Sequence, residues 1–447
     1  MPEVAAKNDR PSLAVSLLWL VGLGVFFYSS YGFSNWLAGT RTHVPSVVFA
    51  WESSVPFLAW TIVPYWTTNL LYAASLFLCR TRAEFYSHVR RLLTAQVVCV
   101  LCFILLPLKF SRPQPDTTGT FHVFYAALRS FDKPYNQAPS LHVALTIILA
   151  AVYLRILPHW ARIVYIAWST LIVISVMTTF QHHFIDIPTG ILLGLFCVWL
   201  FPSDGRRRIS SWQRSHGRTL TLALGYGTAA ILFALIAASL RGAFLWLLWP
   251  AFALFSVALA YLGLGVAVFD KTPQGTIGWP SRVLLLPYLV MARLNSRLWT
   301  YGEAKTVEIV EGVHLGRFPA KQDAAGFITV IDLTSELSKP AVAARWICFP
   351  MLDLAAPPPA LLATAADAVE QALAQGSVLV VCALGYGRSV ATLATWFVRT
   401  GRAPNVDSAL AQLRSKRPKL LVSTEQIQSI HEAVVYVPNT RDQATNS

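Results

Sequence analysis

Residues 378–401 read VLVVCALGYGRSVATLATWFVRTG, a short β-branched run, a glycine-bearing loop and a helical stretch closed by Gly401. The loop runs from Cys382 to Arg388 and Ser389, with Gly385 and Gly387 inside it. Backbone N–H groups of a loop entering a helix converge on one point. The helix dipole adds partial positive charge there, and the two glycines allow close approach. A thiol in that place is expected to have a lowered pKa and to be a thiolate near neutral pH. Arg388 offers a planar fork for two phosphate oxygens, and Ser389 a hydroxyl within reach of the sulfur. The stretch therefore predicts a phosphate-binding loop on an α/β domain. A buried strand-end cysteine beside a solvated arginine has the same spacing, and only the surrounding chain separates the two readings.

That context carries a resemblance. Cys382, Gly385, Arg388 and Ser389 fit the Cys-x-x-Gly-x-x-Arg-Ser signature, and residues 302–437 resemble the dual-specificity, cysteine-based phosphatases. Residues 312–319, 328–334 and 349–353 look like that family's opening strands and general-acid loop. The resemblance implies that Cys382 attacks phosphorus, Arg388 holds the phosphoryl group, Ser389 helps the thiophosphate break down and Asp353 protonates the leaving oxygen. Val381 stands where the family usually carries His. A lone Asp in a loop is usually a turn former. Asp353, however, lies 29 residues before Cys382, after a strand-like run, with Pro357, Pro358, Pro359 and an amphipathic helix between. The helix ended by Gly376 and the one opened by the capping-box pattern from Ser423 to Gln426 read as packing elements.

The rest of the chain is of another kind. With 55% hydrophobic and 13% charged residues over 447 positions, it is too apolar to be wholly soluble. About 17–25 apolar residues suffice to cross a bilayer. Eight such windows are read, near 12–33, 54–79, 92–108, 141–157, 162–179, 184–201, 219–240 and 243–269. The expected organisation is a six-span membrane domain over 1–201, two further spans over 202–270, an interfacial linker over 271–301, an α/β domain over 302–440 and a tail over 441–447. The first apolar run exceeds a signal's usual length and no small-residue cleavage site is evident, so it reads as an anchor. Lys7, Arg10, Arg80, Arg82, Arg90, Arg91, Arg162, Arg206, Arg207, Arg208, Arg214, Lys271 and Arg282 fall on one side if all eight spans form. The positive-inside rule makes that side the cytoplasm and puts both termini there. Residues 281–300, flanked by arginines and apolar for about a dozen positions, fit an interfacial helix.

The formal charge of +14 is spread along membrane flanks, so topology and anionic headgroups account for it and no nucleic-acid partner is expected. Cys79, Cys99, Cys102, Cys197, Cys348 and Cys382 form no metal-like cluster; neither metal nor cofactor is expected, and a reducing compartment suits Cys382.

Polar residues of the membrane part gather at span ends. Lys109 to Pro113 (KFSRP) follows the third span, Asn136 to His142 (NQAPSLH) opens the fourth, and Gln181 to Asp186 (QHHFID) opens the sixth. The two loops involved lie on the same, extracytoplasmic side. His182 and Asp186 stand four apart, as on one helix face, so the carboxylate can orient the imidazole. An ionisable pair in an apolar stretch is a functional hypothesis in its own right. A histidine nucleophile, a second histidine as acid and a cationic clamp make a metal-free phosphoryl-transfer site. Separate interfacial histidines are the plain alternative.

Over about residues 50–201, or 12–201 with the first span, the pattern resembles the type 2 phosphatidic acid phosphatase superfamily, particularly its branch with the inositolphosphorylceramide and sphingomyelin synthases. Arg112-Pro113, the Asn136-x-x-Pro-Ser-x-His142 run and Gln181-His182-x-x-x-Asp186 followed by Gly190 carry it. The resemblance implies His182 as the nucleophile that becomes phosphohistidine, Asp186 as its orienter and His142 as the acid. Arg112, with Lys109 and Ser140, would bind phosphate, as Gly385 and Gly387 would in the other site. His183 competes by position, and the family spacing selects His182. Leu141 replaces the common Gly, and Val176 stands where an arginine is expected.

Together the two constellations predict an integral inner-membrane phosphatase of phospholipid metabolism. Its histidine site would be extracytoplasmic and its cysteine site cytoplasmic, acting on phosphorylated lipid headgroups or phosphoproteins among membrane lipids. A lipid phosphotransferase and a membrane-anchored protein tyrosine phosphatase are the alternatives among enzymes. A non-catalytic phosphate-binding sensor is the rival of another class; Val381 and Val176 speak for it, the retained Cys382, Arg388, His142, His182 and Asp186 against it.

Overall fold

The computed structural model describes residues 9–205, 212, 215 and 217–437. Lys7, Arg206, Arg207, Arg208, Arg214 and the 441–447 tail lie outside the described residues. The chain divides into two compact units, residues 1–210 with 240–245 and residues 211–239 with 246–447.

The first unit is helical: α1 (Leu13–Gly39), α2 (Ile62–Leu78), α3 (Arg82–Leu105), α4 (His122–Phe131), α5 (Leu141–Ile156), α6 (His159–Thr178) and α7 (Asp186–Leu200). Side-chain oxygens of Ser12, Thr81 and Ser140 cap α1, α3 and α5, each cap being worth about 1 kcal/mol. Phe85, Leu92, Cys99, Phe103, Ile148 and Cys197 fill the space among α3, α5 and α7. Gly190 and Gly194 bring α7 against α5: a Cβ would stand 2.6 Å from the Ser140 carbonyl oxygen at the first and 2.7 Å from that of Ala144 at the second. Small residues permit such backbone approach between helices in lipid.

One end of this unit gathers Arg80, Arg155 and Arg162 around an open cleft with Glu84 and Ser203. The Arg82 N–H bonds the Asp9 carbonyl there at 2.8 Å. Arg91, expected as a flank charge, is instead buried, donating to the Phe201 carbonyl at 2.8 Å and to Ser203 Oγ at 2.9 Å. Because α3 and α6 run away from that end, the 106–140 and 179–185 connections lie at the other. The first of these carries α4, a helix not expected from the sequence.

The second unit opens with α8 (Gly217–Leu240, all but its last residue), then α9 (Leu248–Leu259), α10 (Trp279–Leu284) and α11 (Leu286–Trp299). The 243–269 window is not one straight span. After α9 the chain passes through a π-turn over 260–264 and a 3-10 turn over 265–269, broken at Gly263 (φ 151°) and Gly265 (φ 64°), conformations that glycine adopts cheaply. Hydropathy averages over such a break. By length and composition, α1, α3, α6, α8 and the broken 242–269 stretch can cross a bilayer, and α5 and α7 are shorter apolar helices. This is a membrane protein.

A five-stranded sheet follows, β1 (Thr306–Val310), β2 (Val313–Arg317), β3 (Thr329–Thr334), β4 (Arg345–Met351) and β5 (Val378–Cys382), with α12 (Lys321–Ala324), α13 (Pro359–Leu373), α14 (Arg388–Arg399), α15 (Val406–Lys416) and α16 (Thr424–Val435). The strand order is β1-β2-β5-β3-β4; only β1 is antiparallel to its neighbour. Every residue of β3 and β5 is buried, as central parallel strands require. Leu315, Ile331, Val380, Val390 and Trp396 form the core on the face that carries α13, α14 and α16. Phe318, Val330, Trp346 and Val381 form the core on the other face. α16 opens on the expected capping box between Ser423 and Gln426.

This fold starts well before residue 302, the expected boundary. Lys271, read as a flank charge, is buried with Nζ 2.6 Å from Asp332 Oδ2 on β3 and 2.8 Å from Thr334 Oγ1. Trp346 Nε1 donates to the same carboxylate at 2.9 Å. Residues 271–278 are therefore part of the sheet's packing, and breaking the buried pair from one side would cost about 3–5 kcal/mol.

Candidate active sites

β5 ends at Cys382 and α14 begins at Arg388, so the residues between must reverse tightly at the C-terminal edge of the sheet. Gly385 makes this possible: its φ is 77°, and a Cβ would stand 2.8 Å from the Gly316 carbonyl of β2. Its N–H donates to Cys382 Sγ at 3.2 Å, and Ser389 Oγ lies 3.2 Å from the same sulfur. Gly387 approaches the Leu421 carbonyl, which a Cβ would meet at 3.1 Å.

Arg388 is buried and held from several directions. Its two terminal nitrogens grip Glu336 at 3.0 and 2.6 Å, Nη1 donates to the Met351 carbonyl at 2.9 Å, and Nη2 lies 3.0 Å from Asp353 Oδ1. Its buried Nε has no partner, which leaves one charged donor for an incoming anion. Cys382, Arg388, Asp353, Tyr386, Gln426 and Arg218 line a cavity of about 270 Å³.

The two carboxyl groups on Arg388 are driven apart. Burial opposes the ionisation of Glu336, but the bidentate guanidinium outweighs it and holds that carboxyl below the usual range. For Asp353 burial prevails, helped by the Glu336 charge and opposed by Arg388, and the carboxyl is raised. Such a split is the arrangement in which one group can stay a fixed anion and the other can carry a proton. Glu336 went unread in the sequence because nothing local announces a partner 52 residues from Arg388.

In the first unit the motifs are stitched together through the backbone. The Ser140 N–H bonds the Asp186 carbonyl at 3.1 Å, and Gln137 Nε2 donates to the Gln181 carbonyl at 3.1 Å. Asn136 donates to the Tyr31 carbonyl at 3.1 Å, fixing the loop to α1. His182 Nδ1 lies 3.0 Å from Asp186 Oδ2, leaving Nε2 free of that bond. The pair does not share a helix face, as the spacing implied. Asp186 is the first residue of α7 and His182 sits in the turn before it, where its N–H bonds the Val176 carbonyl at 3.0 Å.

His142, in the first turn of α5, stacks on Tyr65 with ring centroids 4.0 Å apart, and its buried Nε2 has no partner. His142, His182, Tyr31, Tyr65, Trp66 and Asp132 are among the residues around a cavity of about 260 Å³ whose walls are mostly aromatic and apolar. Asp132 was not singled out in the sequence. It accepts from the Tyr31 hydroxyl at 2.9 Å, and burial pushes its carboxyl up to about 6.

The expected phosphate binders lie elsewhere. Arg112 donates to the carbonyls of Glu52 at 2.9 Å and Val55 at 3.1 Å, and its guanidinium stacks 3.9 Å over Phe180. Lys109 is exposed, and its backbone pins the neighbouring segment through Pro45 and Ser46. Ser140 serves as the cap of α5. None of the three lines the cavity. His183 is engaged away from Asp186's side chain through its ring: Nδ1 lies 2.7 Å from Glu52 Oε2, and Nε2 accepts from the Ser111 N–H at 3.2 Å. Burial works to raise the Glu52 carboxyl, but the His183 and Phe49 hydrogen bonds prevail and hold it below the usual range.

Residues 88–210 match the PAP2 superfamily and residues 353–436 match the protein-tyrosine phosphatase family. The chain joins the two and is a phosphatase. No curated protein matches it. Among solved structures, Tk-PTP in its active form is 22% identical and covers 30% of this chain and 98% of its own, with a TM-score of 0.28. Human DUSP28 is 22% identical, with 29% and 93% coverage and a TM-score of 0.26. PTPMT1 in complex with PI(5)P is 15% identical, with 32% and 100% coverage and a TM-score of 0.27.

Proposed function

We propose that this chain is an eight-span phosphatase of phospholipid metabolism in the inner membrane, with a histidine site on the extracytoplasmic face and a cysteine site on the cytoplasmic face. The observation that carries it is that each unit holds its own set of groups for phosphoryl transfer. In the first, His182 Nε2 attacks phosphorus while Asp186 stabilises the imidazolium through Nδ1. His142 gives the leaving oxygen its proton, and water then releases phosphate from His182. In the second, Cys382 Sγ attacks, the loop N–H groups and Arg388 Nε hold the phosphoryl oxygens, and Asp353 protonates the leaving oxygen. Water then attacks the cysteinyl phosphate, the S–P bond breaks to give free phosphate, and Ser389 Oγ stabilises the departing Cys382 thiolate. The arginine-rich end of the first unit, with Arg80 and Arg162, supports a cytoplasmic placement for it and for both termini.

A second reading has its own support. The aromatic, mostly apolar walls around His142 and His182 suit an acyl chain, and Asp132, pushed up to about 6, suits a base for a lipid hydroxyl. On that reading a lipid alcohol instead of water takes the phosphoryl group from His182.

The test is phosphate release by the solubilised full chain from a panel of lipid phosphates and a phosphotyrosine mimic, with His182→Ala and Cys382→Ser alongside. Each substitution is expected to abolish release from a different substrate. If neither changes any release, the hydrolase reading is wrong. Phosphorylated lipid product that depends on His182, formed from an added lipid alcohol, selects the second reading.

A further inference from the structure

The cysteine pocket is not built by the α/β fold alone. Tyr261, in the broken stretch after α9, donates its hydroxyl to the Asp353 carbonyl at 2.9 Å. Its ring stacks on Tyr226 of α8 with centroids 5.6 Å apart, and Tyr226 meets Tyr288 of α11 edge-on at 5.9 Å. An aromatic column from three membrane-associated elements thus ends on the general-acid loop. On the other side of the pocket, Ser296 of α11 donates to the carbonyl of Ala383, the residue after the cysteine. The Tyr386 hydroxyl donates to the Glu303 carboxylate and lies 3.4 Å from the Trp299 carbonyl.

α11 has a second face. Leu286, Val290, Leu294 and Leu298 recur every fourth residue and are all exposed, Leu298 to 74%, with Met291 beside them at 62%. Trp279 and Trp299, also exposed, stand near the two ends of this run. Tryptophan and arginine around an apolar helical face are the signature of residence in the headgroup layer. The bilayer is the occupant that fits this face, because α8, 24 residues long and apolar enough to cross a bilayer, belongs to the same unit. The mouth of the pocket continues the theme: Leu354 is 41% and Leu421 58% exposed, and Arg218, from the first turn of α8, lines the wall beside them.

Resting on the phosphatase reading of this site, we infer that the cysteine pocket takes the phosphomonoester headgroup of a lipid that stays in the leaflet, and that Arg218 is a specificity-determining residue for it. The catalytic loop needs only the phosphoryl group, which Cys382 and Arg388 serve. Arg218 starts from the membrane helix itself, so it meets the anionic headgroup at the depth where the acyl chains begin. The apolar rim covers the glycerol end, and the α11 face sets the height of the pocket above the bilayer. The continuity of this rim with a helix face suited to the bilayer is what favours a lipid over a phosphoprotein.

The experiment uses the full chain carrying His182→Ala, reconstituted in phosphatidylcholine vesicles, with Cys382→Ser added as blank. Phosphate release is measured from vesicle-borne phosphatidic acid, vesicle-borne phosphatidylinositol monophosphate, a phosphotyrosine peptide and p-nitrophenyl phosphate. Cys382-dependent release from at least one lipid is expected. Arg218→Ala should raise KM for that lipid about tenfold with kcat largely kept, and Arg218→Lys should restore it, as for one charged contact. Leu294→Glu with Leu298→Glu should lower the ratio of lipid to aryl phosphate turnover about tenfold. Cys382-dependent hydrolysis of aryl phosphate or peptide without lipid turnover overturns the inference and leaves the phosphatase reading standing. A lipid KM indifferent to Arg218 also overturns it. Release from none of the four substrates overturns the reading of the cysteine site and the inference with it.

Discussion

The hydroxyl of Tyr261 donates to the main-chain oxygen of Asp353 at 2.9 Å, so the peptide that carries the proposed proton donor is held by a side chain from the broken helix. One such hydrogen bond is worth about 0.5–1.5 kcal/mol. Tyr261→Phe should lower Cys382-dependent turnover of alkyl phosphates about fivefold, because their leaving oxygen must be protonated. Aryl phosphates, which leave more easily, should be affected less. Parallel kinetics on the two substrate types decide it; an equal fall in both would assign Tyr261 to folding instead of acid placement.

The raised carboxyl of Asp353 has a direct pH consequence. A general acid works only while protonated, so activity falls as pH rises through its pKa, and raising that pKa moves the fall to higher pH. The alkaline limb of the alkyl-phosphate profile should therefore belong to Asp353 and disappear in Asp353→Asn, with a lower plateau. A limb that survives the substitution would place the acid elsewhere.

Glu336 and Arg388 form a buried bidentate pair, and without Glu336 the guanidinium keeps only the single carboxylate contact with the partly exposed Asp353. Glu336→Gln is expected to destabilise the second unit by up to about 3 kcal/mol, Asp353 remaining beside the guanidinium, and to loosen the arginine proposed to receive phosphate. Thermal unfolding with and without orthovanadate reads both effects: a lower Tm, and a smaller upward shift on adding the anion. An unchanged Tm would mean that the pair contributes nothing net.

At Gly190 a methyl group would press 2.6 Å from the Ser140 carbonyl. Gly190→Ala should push α7 away from α5 and separate His182 from His142. The expected result is loss of more than tenfold in His182-dependent release, with Cys382-dependent release in the same preparation kept within about twofold. A parallel loss of both would point to general misfolding.

Much of this was legible in the sequence for a physical reason: the groups concerned are close along the chain. Cys382, Gly385, Arg388 and Ser389 belong to one turn, and His182 and Asp186 to another, so spacing alone brought them together. What escaped the reading involves long-range closure. Glu52 reaches His183 across 131 positions, and Tyr31 reaches Asp132 across 101. Neither contact leaves a periodic trace. Arg112 was legible as a cation near a site, but not its turn toward the Glu52 and Val55 carbonyls, because composition does not say where a guanidinium points. Lys271 and Arg91 counted as surface charges for the same reason, although both are buried. The 243–269 window looked continuous since hydropathy is blind to the backbone angles of Gly263 and Gly265.

The buried bond between Lys271 and Asp332 also limits where the chain can be cut. A truncation at residue 302 would strand a carboxylate inside β3 and part the Asp353 peptide from Tyr261. A fragment that keeps the sheet's own packing therefore has to begin at or before residue 271, and one that keeps Tyr261 on Asp353 has to begin earlier still.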